Sequence, residues 1–144
     1  MTRKFIISSA LATLVSLTAM PASANDIFLE QWGWLNQAGG GQVGTNNVIG
    51  VYQNGIINGA VANQSGNGNV SAIGQEGINN YGETYQNGDN NAAGVGQFGT
   101  NHNSILSQDG NGNVAAGVQV GNGCNAGVAQ TGAGNVAAFV QACP

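Results

Sequence analysis

The sequence predicts an all-β fold, a two-sheet β-solenoid built from stacked strand-turn-strand rungs of 22 residues, each made of two 11-residue halves. Three observations lead there. Glutamine recurs every 11 residues; glycine and asparagine follow it at fixed distances; and no proline interrupts the chain between Pro21 and the C-terminal Pro144. A chain rich in glycine but free of internal proline makes many tight turns while keeping its hydrogen-bond ladders intact.

The glutamines are Gln31, Gln42, Gln53, Gln64, Gln75, Gln86, Gln97, Gln108, Gln119, Gln130 and Gln141, and only Gln37 lies off this register. Two residues after each comes a glycine: Gly33, Gly44, Gly55, Gly66, Gly77, Gly88, Gly99, Gly110, Gly121 and Gly132, with Cys143 in the last unit. Five residues after comes Asn36, Asn47, Asn58, Asn69, Asn80, Asn91, Asn113 or Asn135, with His102 and Cys124 as exceptions. The seventh position is small in most units and the ninth is often apolar, as at Val51, Ile73, Val95, Leu106, Val128 and Phe139. Unphased Asn/Gln low complexity has no such register. A right-handed helical supercoil also has an 11-residue repeat, but glycine and asparagine in every turn oppose helix.

Parity then sets the geometry. Positions 5, 7, 9 and 11 after each Gln share one face of a strand, and positions 6, 8, 10 and 1 share the other. Gly at position 2 and Asn at position 5 are expected to bracket a four-residue turn, both tolerating its backbone angles. Alternate turns resemble one another (GTNN, GNGN, GDNN, GNGN and GAGN from Gly44, Gly66, Gly88, Gly110 and Gly132), so two units form one rung. Strands stack ~4.7–4.9 Å apart, so about five rungs make a body roughly 24 Å long.

Buried amides are costly without partners. Identical amides stacked on successive rungs solve this, each donating to one neighbour and accepting from the other, as in amyloid Asn/Gln ladders. The acids Glu76, Glu83, Asp89 and Asp109 are expected on outward or turn positions, with uncharged residues one rung away because stacked like charges repel.

Residues 1–24 read as a secretory signal peptide: Arg3 and Lys4, an apolar run from Phe5 to Met20, and a small-residue site at Ala22-Ser23-Ala24. The short segment 25–30 precedes the repeat domain, 31–144. Arg3 and Lys4 are the only basic residues, and the net charge is −4. Without them the mature chain cannot neutralise phosphates, which excludes nucleic acid as a partner, and it has no polybasic route to anionic lipid. Nothing after residue 24 is expected to enter a membrane.

The pattern Q-x-G-x-x-N-x-A-x-x-x-Q, clear at Gln42-Val43-Gly44-Thr45-Asn46-Asn47 and at Gln108-Asp109-Gly110-Asn111-Gly112-Asn113-Val114-Ala115, resembles the curlin repeat of curli fibre subunits. The resemblance covers Gln31 to Gln141. It implies a bacterial functional amyloid, secreted unfolded through an outer-membrane pore with periplasmic accessory proteins. Such a protein polymerises with its own copies at the cell surface, often from a nucleator subunit, and serves adhesion and biofilm matrix. Only Asn25–Glu30 precede the first Gln, where the family's major subunits usually carry a longer Gly-rich leader. The lack of basic residues is closer to a major subunit than to a basic nucleator.

Other signals are weaker. Gly94-Val95-Gly96-Gln97-Phe98-Gly99 fits G-x-G-x-x-G but lacks a following helix and coincides with the repeat, so no dinucleotide is expected. His102 replaces a ladder Asn and is read as a tolerated exception rather than a metal ligand. Asn63-Gln64-Ser65 is a glycosylation sequon produced by the repeat. No catalytic constellation, metal set or cofactor motif is found, and an enzyme is not expected. Cys124 and Cys143 fall on corners one rung apart, with Cα atoms expected at about 7 Å, the limit for a bridge; a disulfide closing the last rung is the expectation. Trp32 and Trp34 lie in the first unit, as an apolar cap or a docking point. The leading reading is a fibre subunit. A minor or nucleator subunit of the same fibre is one alternative. The other is a soluble solenoid binding a surface, as ice-binding proteins do; it favours a flat Thr array, whereas Thr45, Thr84, Thr100 and Thr131 are scattered.

Overall fold

The computed structural model describes residues 24–144. The expected signal peptide, except for Ala24, lies outside the described residues. The eleven strands are β1 (Asp26–Trp34), β2 (Gln37–Thr45), β3 (Val48–Ile56), β4 (Gly59–Asn67), β5 (Val70–Ile78), β6 (Tyr81–Asn87), β7 (Ala92–Thr100), β8 (Asn103–Asn111), β9 (Val114–Asn122), β10 (Asn125–Ala133) and β11 (Val136–Cys143). Odd strands form a six-stranded sheet in the order β1-β3-β5-β7-β9-β11, and even strands a five-stranded sheet, β2-β4-β6-β8-β10. The two-sheet β-solenoid expected from the 22-residue period is the observed fold.

Each strand pairs in parallel with the strand two further along, so equivalent residues stack: Gln53 on Gln75, and Gln75 on Gln97. The rung-to-rung bonds continue around the corners, where the Asn79 N–H donates to the Ile56 carbonyl and the Val48 N–H to the Asn69 carbonyl. The backbone is thus paired from rung to rung through strands and corners alike between the end strands, as burial requires.

The corner departs from the expected turn. Most strands run through the glycine at position 2 and leave only positions 4 and 5 outside the sheet, as Leu35-Asn36 and Asn79-Asn80 do. Positive φ falls at positions 2 and 4, not at the Asn of position 5: Gly77 has φ 131°, Asn79 57° and Ile57 60°. The reason is close stacking. A Cβ on Gly77 would lie 1.8 Å from the Gly99 carbonyl oxygen of the next rung, so the column at position 2 admits no side chain beneath another rung; Cys143 holds that position on the last rung. The Asn at position 5 keeps ordinary backbone angles and turns its side chain inward.

Positions 5, 7, 9 and 11 face the space between the sheets: Asn47, Ile49, Val51 and Gln53 are buried while Tyr52 is exposed. The apolar core is in two parts. Ile49, Val51, Ala60, Ala62 and Ile73 form one. Ala93, Val95, Leu106 and Ala115, flanked by Val128 and Phe139, form the other. Between them Ser71 Oγ lies 2.5 Å from Thr84 Oγ1, each hydroxyl satisfying the other. Small residues at position 7 let the sheets approach, since a Cβ on Gly82 would lie 2.9 Å from Ile73 Cγ2.

The acids stack as expected on uncharged neighbours: Glu76 lies between Asn54 and Phe98, Glu83 between Val61 and Ile105, and Asp109 between Asn87 and Thr131.

Candidate functional site: the amide ladders and the open ends

The position-11 glutamines stand in two columns, one per sheet. In the six-stranded sheet Nε2 donates to Oε1 of the next rung from Gln31 to Gln53, Gln75, Gln97, Gln119 and Gln141, at 2.6–2.9 Å. In the five-stranded sheet the same bond runs from Gln42 to Gln64, Gln86, Gln108 and Gln130, at 2.7–2.9 Å. From Gln42 onward each Nε2 has a second bond, and it crosses to the opposite sheet. Gln53 donates to the Gln37 carbonyl at 3.0 Å and Gln86 to the Val70 carbonyl at 3.0 Å. This bond was not foreseen from the sequence. It explains why the column needs glutamine: its extra methylene lets one amide bond upward along the sheet and across the core.

The asparagines of position 5 behave differently from the amide-to-amide ladder expected for them. Asn47 Oδ1 accepts from the backbone N–H of Asn69 at 3.0 Å, and Asn47 Nδ2 donates to the Gly66 carbonyl at 2.8 Å. Asn58, Asn69, Asn80, Asn91 and Asn113 repeat both bonds, with a His102 or Asn135 N–H as donor where those follow. Direct side-chain bonds join only Asn58 to Asn36 and Asn135 to Asn113. The shorter side chain, held at a corner, meets backbone groups before it meets its own kind. The Asn column thus satisfies the corner, and the Gln column joins the sheets.

His102 continues the Asn column. It is 1% exposed. Its N–H donates to Asn80 Oδ1 at 3.0 Å, and its Nδ1 accepts the Cys124 N–H at 3.1 Å. With Nδ1 an acceptor, the proton sits on Nε2, 3.2 Å from the Phe98 carbonyl. The ring nitrogen takes the place of an Asn Oδ1. Among the described residues no three His, Cys, Asp or Glu side chains gather as a metal site. Gly94–Gly99 lies inside β7, where its glycines are sheet positions and not a phosphate loop.

Cys124 and Cys143 are bonded, with Sγ atoms 2.04 Å and Cα atoms 5.6 Å apart. The separation is shorter than the expected value because both residues lie on one corner of consecutive rungs.

Trp32 and Trp34 are 60% and 77% exposed on β1, and Trp32 Nε1 donates to Glu30 Oε1 at 2.8 Å. Elsewhere on the surface the Tyr81 hydroxyl donates to Glu83 at 3.0 Å. Burial, then this bond and the Glu83 charge, raise the Tyr81 phenol above its usual value.

Among the described residues no strand lies beyond either end. β1 and β2 are the lowest strands of their sheets, and β10 and β11 the highest. Ile27 and Leu29 point to the core side yet are 51% and 52% exposed, because among the described residues no rung lies beneath them. Unpaired strand edges of this kind template further strands.

These features define a class: a ladder-bonded parallel β-solenoid open to strand addition at both ends. The curlin associated repeat matches residues 77–110. The matched stretch spans three 11-residue units, and the same spacing continues on both sides of it. No curated protein matches the chain.

Proposed function

We propose that this chain is the repeating subunit of an extracellular, curli-type amyloid fibre, growing by head-to-tail stacking of solenoids. One observation carries the reading: the end strands hold their Gln in register with those of the interior strands and, among the described residues, have no neighbour outside them. An incoming copy gains at each end the bonds that hold successive rungs together. Matching but non-identical ends give an open filament and not a closed ring. The curlin repeat supports the same role. In this reading the protein is exported through an outer-membrane pore with periplasmic accessory proteins, is started by a nucleator subunit, and serves adhesion and biofilm matrix as the major subunit. The ladders are the assembly determinant.

The test is fibre diffraction on residues 25–144 left unstirred in neutral buffer. Filaments with a meridional reflection near ~4.7 Å are expected. A protein that stays monomeric for days even when seeded overturns the proposal.

A further inference from the structure

We propose that successive copies in the fibre are turned by half a revolution about its axis, so that β1 of each added copy pairs on β10 of the copy below and its β2 pairs on β11. The inference rests on the fibre reading and adds the interface through which the fibre grows. Its basis is the strand number. The coil completes one revolution in two strands, and the described residues form eleven, six in one sheet and five in the other. The described coil therefore closes half a revolution from where it opens.

The first vacant place above the molecule is over β10, because β11 is already one half-rung higher in the other sheet. An unturned copy has two ways to dock, and both fail. With its β1 over β11, its β2 stands two rungs above β10 and leaves a gap one strand wide. With its β2 over β10, its β1 falls in the space that β11 fills. A half-revolution removes both faults, and it is permitted because both sheets carry their Gln column at the same strand position.

The polar atoms at the ends fit the turned arrangement. Gln130 is 7% exposed. One Nε2 proton goes to the Val114 carbonyl, while its Oε1 accepts from Gln108. The second proton has no partner within the molecule and, in the gapped arrangement, would be enclosed without one, which is costly. In the turned arrangement it meets Oε1 of Gln31 in the next copy, which accepts no bond among the described residues. Gln141 likewise meets Gln42 of the next copy, whose Oε1 is buried and without a partner. Asn135 Oδ1 meets the N–H of Asn36, the relation that the Asn58 N–H has to Asn36 Oδ1 inside the molecule. Asn25 already occupies the Asn column, its Oδ1 accepting the Asn47 N–H, so in the turned arrangement Asn25 of the next copy takes the next place in that column.

Helical reconstruction of wild-type fibres measures the rotation between neighbouring copies directly. A value of half a revolution, apart from the sheet twist, is expected; a value near zero overturns the inference and leaves the fibre reading intact. Cysteine pairs provide a second readout. Ala129→Cys with Glu30→Cys should link neighbouring copies under oxidation, because these outward positions stack when β1 lies on β10. Val140→Cys with Glu30→Cys should not link, because they stack only in the unturned arrangement. The reverse pattern overturns the inference. A protein that forms no fibres at all sinks this interface together with the fibre reading.

Discussion

Cys124 and Cys143 stand 19 residues apart, the separation at which Asn113 Nδ2 donates to the Gly132 carbonyl. The disulfide therefore sits at a corner position that other rungs close with an Asn-to-Gly hydrogen bond. It does so on the last rung, where fewer neighbours hold the chain in place.

Breaking this bond should loosen the upper end. Closing a loop of this length is worth about 3 kcal/mol through the unfolded chain. Cys143→Ser is expected to lower the denaturant midpoint by that order, an effect that reductant reproduces in the wild type. Thiol titration of denatured, unreduced protein is expected to find no reactive group, and two after reduction.

Gln86 sits mid-column, bonded to Gln64, Gln108 and the Val70 carbonyl. Gln86→Leu leaves three buried groups unpaired, each costing about 1–3 kcal/mol. Seeded elongation should slow sharply, and the fibres should dissolve at lower denaturant. Gln86→Glu adds a pH signature. A buried carboxylate has no proton to donate, whereas the neutral acid has one. Burial raises its folded-state pKa, so the variant's stability is present at acid pH and lost as pH rises. Elongation rates measured across pH should fall toward neutrality for this variant beyond any change in the wild type.

Ile57 holds φ 60° at corner position 4, where the first unit places Leu35 and the others Asn46, Asn79, Asn90, Asn101 or glycine. A β-branched residue in the left-handed region costs roughly 1–2 kcal/mol. Ile57→Asn should raise stability by about 1 kcal/mol, since half of the side chain is exposed and little burial is lost. A lower melting temperature would contradict this account of the corner.

Ser104 is fully buried, and its Oγ has no partner. Its stacked neighbour Ala126 shows that alanine fits the column. Ser104→Ala should stabilise by about 1 kcal/mol by removing an unsatisfied hydroxyl, read as a shift in thermal midpoint. By contrast, Ser71→Ala should destabilise, because it strands the Thr84 hydroxyl.

His102→Asn should preserve the corner. The replacement offers Oδ1 to the Cys124 N–H, as His102 Nδ1 does now, and Nδ2 to the Gly121 carbonyl. In the wild type, nitrogen NMR is expected to find the imidazole protonated at Nε2. A proton on Nδ1 would face the Cys124 N–H and break the column.

The sequence by itself determined the stacking: an unbroken 11-residue register, a 22-residue rung and strand parity decide which residue lies on which and which faces inward. A period is a property of the chain alone, so it survives without coordinates, and even the separation of Glu76, Glu83 and Asp109 from other charges was legible in it. What only the tertiary structure decided is which atoms meet. The Asn side chains bond to backbone because the corner brings carbonyls within their reach. The Gln side chains span the core because the sheets approach that closely. Positive φ falls at positions 2 and 4 because stacked glycine carbonyls crowd the turn. These depend on the path of the corner and the distance between sheets, which follow from close packing of many rungs at once and leave no period of their own in the sequence.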